Sequence, residues 1–182
     1  MRPLKDVLPA NANNVLYIFY DFETTQNKTH SDTAKEHVPN LVCVQQFCAR
    51  CDRRLVSIVI GAAEECTHFG KILFWDLLTY LCEPRPWTSK IVAIAHNAKA
   101  FDFHFILHSA LRLKWKPELI TNGLKIISMK MEHVVFLDSV SFLPFAIRKL
   151  PDAFGLQAAK SWYLHYLNTE ENLNYVGPMH DI

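Results

Sequence analysis

The 182-residue sequence lacks an excess of charge of either sign: 19 Lys and Arg face 18 Asp and Glu, a formal net charge of +1. Such a chain exerts no global pull on nucleic acid, so any nucleic-acid site must be a local basic patch among acidic residues. No apolar stretch approaches the roughly 18 uninterrupted residues that a membrane span needs. The start, Met1-Arg2-Pro3-Leu4-Lys5-Asp6, carries no apolar run behind its basic residues, which speaks against a secretory leader. Cysteines stand only at 43, 48, 51, 66 and 82. An odd count without a leader argues against a secreted disulfide scaffold, and a reducing intracellular compartment is the expectation. Neither an internal repeat nor a low-complexity tract is present. What is there is 50% hydrophobic and 20% charged, the composition of a globular domain with a sizeable core.

Residues 15–20 are almost continuously apolar, aromatic and β-branched, and read as a buried strand. Residues 26–37 are polar and turn-rich and read as a loop. Two strands are expected at 41–44 and 55–60. Over 72–82, Phe74, Leu77, Leu78 and Leu81 share one helical face, with Pro84 and Pro86 as the stop. A short strand at 91–95 precedes a helix on which Phe103, Ile106, Leu107, Ala110 and Leu111 repeat as a core-facing stripe. Strands at 124–130 and 134–138 join through a turn near Glu132. Pro144 is expected to open a short helix through Leu150, with Gly155 closing that segment. The tail from Tyr166 is polar and Asn-rich and is expected to fray. This order predicts an α/β sheet with adjacent early strands and later helical cover.

Two acidic sites stand out. Asp21 and Glu23 end the first strand, and residues i and i+2 of a strand leave the same face. Side by side they repel and lose hydration, so a hard cation such as Mg²⁺ or Mn²⁺ suits them. The plain alternative is a strand ending in a solvated loop. Asn97-x3-Phe101-Asp102 follows the 91–95 strand and opens the next helix. There Asp102 could reach a metal at the strand ends, Asn97 could bond an incoming strand and Phe101 could pack on a base. Alternatively, Asn97 caps the turn and Asp102 complements the helix dipole.

Taken together, strand-Asp-Phe-Glu-Thr and strand-His-Asn-x3-Phe-Asp-helix resemble the first two motifs of DEDD-type 3′→5′ exonucleases. The run from Leu137-Asp138-Ser139 through Leu143-Pro144 to Asp152-x-Phe154-Gly155-Leu156 is similar to the protein-primed branch of family B DNA polymerases, which includes viral, linear-plasmid and Maverick/Polinton-type enzymes. The resemblance implies an RNase H-like mixed sheet flanked by helices, with an N-terminal extension at 1–14, an exonuclease-like domain at 15–165 and a polar tail at 166–182. It implies two Mg²⁺ or Mn²⁺ ions on Asp21, Glu23 and Asp102, and a single-stranded primer 3′ terminus held by Thr24, Asn97, Phe101 and Ser139. It also implies a lysine, Lys160, beside the scissile phosphate. A terminal protein would be the primer for the full-length family member. One departure is Val140, where the family carries Leu. The larger one is that no Tyr-x3-Asp follows Lys160: Tyr163 is followed at that spacing by Leu167, Tyr175 by Met179, and Tyr166 by Glu170. A chain ending short of that motif is expected to fold largely but hydrolyse DNA weakly or not at all.

Within the insertion at about 43–68, Cys48-x2-Cys51 and Cys66-x-His68 offer four soft ligands for Zn²⁺; free thiols are the alternative. Two rival functions remain open on sequence: a stand-alone DEDD exonuclease acting on RNA, and a domesticated or decayed DNA-binding module.

Overall fold

Alternation along β1 (Val15–Ser31) sets the first layer. In this computed structural model, which describes residues 15–31, 34–48, 56–61, 69–85, 88–157, 168–169 and 172, Leu16, Ile18, Tyr20 and Phe22 are buried while Phe19 and Asp21 are exposed. That is the two-residue period of a strand covered on one face. β1 runs antiparallel to β2 (Ala34–Cys48), which pairs antiparallel with β3 (Val56–Gly61).

The expected loop at 26–37 is instead the far end of this β1–β2 ribbon, with Lys28 opposite Glu36 and Thr29 opposite Lys35. Local polarity suggests a loop, but backbone pairing needs no apolar side chains. A two-stranded ribbon exposed on both faces therefore leaves no hydrophobic period to read.

On its other side β1 pairs in parallel with β4 (Lys90–Ala95), and β4 pairs in parallel with β7 (Val134–Asp138). β6 (Lys125–Met131) and β5 (Glu118–Asn122) complete the order β3-β2-β1-β4-β7-β6-β5. This mixed α/β sheet is the RNase H-like arrangement expected from the sequence. The sequence reading gives no element to Glu118–Asn122. Its side chains are all exposed, so it has no buried face to betray it. Asn122-Gly123 was the available hairpin signal, and Gly123 takes φ 60 at the turn.

Helix α1 (Phe69–Cys82) buries Leu77, Leu78 and Leu81, and α2 (Asp102–Arg112) buries Phe103, Ile106 and Ala110, in one core with the inward residues of β1 and β4. Leu111 departs from the expected stripe: it is 58% exposed. The segment after β7 also differs. Residues 144–146 are not helical; a 3₁₀ turn spans Ile147–Lys149 and leads into α3 (Leu150–Phe154), which ends on Gly155 at φ 63. Pro151 rather than Pro144 occupies the first helical turn. No helix among the described residues is long and apolar enough to cross a membrane.

The core assignment gives a paired expectation. Phe103→Ala should cost about 3–5 kcal/mol of unfolding free energy, whereas Leu111→Ala should stay within about 0.5 kcal/mol. Urea titrations of the two variants check it.

Candidate functional site

The site grows from the ends of the parallel strands. β1 and β4 stay paired up to Phe19 opposite Ile94, and β4 and β7 up to Ala95 opposite Asp138. Beyond these pairs lie Asp21 on β1 and His96-Asn97 after β4, with Asp138 as the last residue of β7. Crevices outside the carboxyl ends of such strands are where α/β sheets bind ligands.

Asp21 is exposed and Glu23 half-buried on the outer side of β1, with Phe22 buried beneath them. This is the same-face placement that the Asp-x-Glu spacing predicts. Asp102, the first residue of α2, is 4% exposed, and its Oδ1 accepts the backbone N–H of Phe22 at 3.3 Å. The third carboxylate is thereby fixed to the peptide unit between the other two acids. Burial first, and the Asp21 charge next, push its pKa from the usual carboxylate range up to about 7. The amides of Asp102 and Phe22 pull it down, and Asp138 adds a smaller upward push.

Among the described residues, no three His, Cys, Asp or Glu side chains gather closely enough to hold a metal as they stand. The donor chemistry nonetheless fits a hard divalent cation. The set is all oxygen, and the desolvation and repulsion that raise the pKa of the buried Asp102 are what a cation would offset.

The sequence alone assigns Asp138 no role. It is 1% exposed, and its carboxylate accepts three backbone N–H groups: Asn97 at 2.9 Å, Lys99 at 3.1 Å and Val140 at 3.0 Å. It braces the turn between β4 and α2. Asn97 adopts a left-handed conformation (φ 68), and its exposed side chain makes no capping bond. The capping alternative for Asn97 therefore does not hold; Asp138 does that work from across the sheet. An acid closing an apolar strand just before Ser139 was the one available signal.

Ser139 is buried, and its hydroxyl donates to Ala95 O at 3.2 Å. With that single proton committed, His96 Nδ1, 2.9 Å away, is the donor to Ser139 Oγ. Of the residues assigned to strand binding, Ser139 is thus one whose side chain is bound into the scaffold. Tyr20 lies in the same region. Its buried hydroxyl has no hydrogen-bond partner among the described residues, and burial, then Asp102 and Asp138, push its pKa well up.

A second group surrounds Thr24. The β1–β2 register shifts between Glu23 (opposite Leu41) and Thr24 (opposite Pro39), which leaves Asn40 as a bulged residue. Asn40 is buried, and its side-chain amide exchanges hydrogen bonds with that of Asn168 in both directions. Asn168 Nδ2 also donates to Thr24 O at 3.0 Å. The expectation of a frayed tail fails at this residue: Asn168 supplies a partner to backbone beside a bulge that disrupts the ladder. Thr24 Oγ1 meets His37 Nδ1 at 3.0 Å, and the His37 ring stands edge-on to Phe101.

Cys43 lies opposite Asp21 on β2, and desolvation, then Asp21 and Glu23, push its thiol upward. Lys160, Cys51, Cys66 and His68 lie outside the described residues, as does the side chain of Cys48 at the end of β2.

Two outcomes follow. A carboxyl group whose pKa is raised on folding contributes stability that is full below about pH 4 and is lost as pH rises through about 7. Asp102→Asn should therefore melt at a higher temperature than wild type at pH 8, and by a smaller margin at pH 5. Asn168→Ala should cost about 1–3 kcal/mol by leaving the buried Asn40 amide unsatisfied. It should also speed amide hydrogen exchange around Thr24.

A family model described as DNA polymerase type B, organellar and viral, matches residues 88–181. A probable DNA polymerase of Agaricus bitorquis is 30% identical over 118 residues, which is 62% of this chain and 15% of that protein. Two phi29 DNA polymerase complexes share the fold at 14% identity over 90% of this chain. The complex with primer-template DNA has a TM-score of 0.55, with 29% of its chain covered. The complex with primer-template DNA and incoming nucleotide has a TM-score of 0.53, with 28% covered. The chain thus spans less than a third of each polymerase it resembles.

Proposed function

The chain belongs to the organellar and viral type B DNA polymerase family, and from that premise we propose that residues 15–165 form a 3′→5′ exonuclease (proofreading) region that receives the single-stranded 3′ end of a primer, in an enzyme of the protein-primed branch. The observation that carries this reading is the Asp102 carboxylate bonded to the Phe22 amide, between Asp21 and Glu23. Acids distant in sequence are brought to one edge of the sheet, beside aromatic and amide groups suited to an unpaired strand.

Asp21, Glu23 and Asp102 would hold Mg²⁺ or Mn²⁺. When bound, such ions supply an activated water and stabilise the leaving oxygen of a phosphodiester. The chain's own groups do the positioning. Asp138 fixes the turn that carries Asn97 and leads to Phe101. Asn97 offers an exposed amide to the strand, and Phe101 offers a ring to a base. Thr24 is held by Asn168 from one side and by His37 from the other. Lys160 would neutralise charge near the scissile phosphate, as the resemblance implies.

With no Tyr-x3-Asp after Lys160, the 182-residue chain is expected to bind single strands and hydrolyse them weakly or not at all. Mn²⁺ at pH 8 should raise the melting temperature of wild type, and much less that of Asp102→Asn. A labelled single strand should bind more tightly than the matching blunt duplex. Equal metal responses in the two proteins, together with no preference for single strands, would overturn the reading.

A further inference from the structure

The β1–β2 ribbon continues well past the acids, and one of its side chains is held in an unusual way. His37 is exposed, yet both of its ring nitrogens are engaged. Gln26 Nε2, a donor, lies 3.3 Å from His37 Nε2, so that nitrogen accepts and Nδ1 carries the proton given to Thr24 Oγ1. The ring stands at 86° to Phe101, with centroids 4.9 Å apart. Phe101 meets Phe105 at 4.9 Å, and Phe105 meets the buried Phe22 at 6.0 Å. A row of aromatic rings thus runs from the core out to His37.

With its polar edge bonded inside the protein, His37 presents a flat, solvent-facing ring. Immobilising an exposed aromatic side chain costs rotamer entropy. A ring fixed in advance is what lowers the entropic cost of capturing a flexible ligand. Single-stranded nucleic acids are held in this way, by aromatic faces that accept any base.

We propose that His37 is a base-stacking platform, forming with Phe101 a right-angled corner that takes an unpaired base of a single strand next to the acids. Lys35, exposed on the same ribbon, adds a cation for the backbone. This deepens the single-strand reading above and rests on it.

The test is fluorescence anisotropy with short labelled oligo(dT), in Ca²⁺ to prevent cleavage, on wild type, His37→Ala and His37→Phe. His37→Ala should weaken binding roughly 5- to 100-fold, the range seen when one stacked base loses its aromatic partner. His37→Phe, which keeps the ring and loses both hydrogen bonds, should restore most of the affinity. With an abasic strand, wild type and His37→Ala should converge. The Mn²⁺-dependent melting shift should be the same in all three proteins.

Wild-type affinity in His37→Ala, or a loss in His37→Phe as large as in His37→Ala, overturns the platform while leaving the parent site intact. No single-strand binding by wild type overturns both, and is told apart because no variant then differs.

Discussion

A buried carboxylate bonded to the backbone of a neighbouring strand ties the site to the sheet. Asp102 opens α2, and its oxygen rests on the amide of Phe22, so the helix start and the strand end share one fixed point. Burying a carboxyl group is unfavourable, and the unfavourable part is the charge. The protein tolerates it by letting the group hold its proton up to about neutral pH. Protonation meets that electrostatic demand, and under the proposed reading a bound cation would meet it instead.

Around that point the scaffold is overdetermined. Asp138 gathers three backbone amides from the turn before α2 and from its own following segment. Ser139 and His96 close the same region through Ala95. On the opposite flank, Asn40 leaves the β1–β2 ladder as a bulge and is caught by Asn168. The ends of β1, β4 and β7 are thus braced from two sides.

The parts of this arrangement that depend on local periodicity were legible in the sequence. The alternation around Tyr20, Asp21 and Phe22 showed which acids share a face, and the stripe Phe103, Ile106 and Ala110 showed which side of α2 is buried. The parts that depend on distant pairing were not. The outer ribbon and Glu118–Asn122 expose their side chains, so no pattern marks them. Asp138 reads locally as a strand end, and only the turn it reaches across the sheet gives it a task. Asn168 sits in a stretch that looks featureless until its partner, 128 residues earlier, is known. Lys160 and the Cys51, Cys66 and His68 trio belong to segments beyond the described residues.

Strand length has a consequence of its own. β4 stops at Ala95, while β1 carries on to Ser31 with β2 as its companion. Past residue 19 the pairing of β1 with β4 ends, and Asp21 lies two residues beyond the last pair. Under the proposed reading, the length of the segment from Ala95 to Phe101 then matters to the site as the carboxylates do, because it sets where β4 lets go of β1.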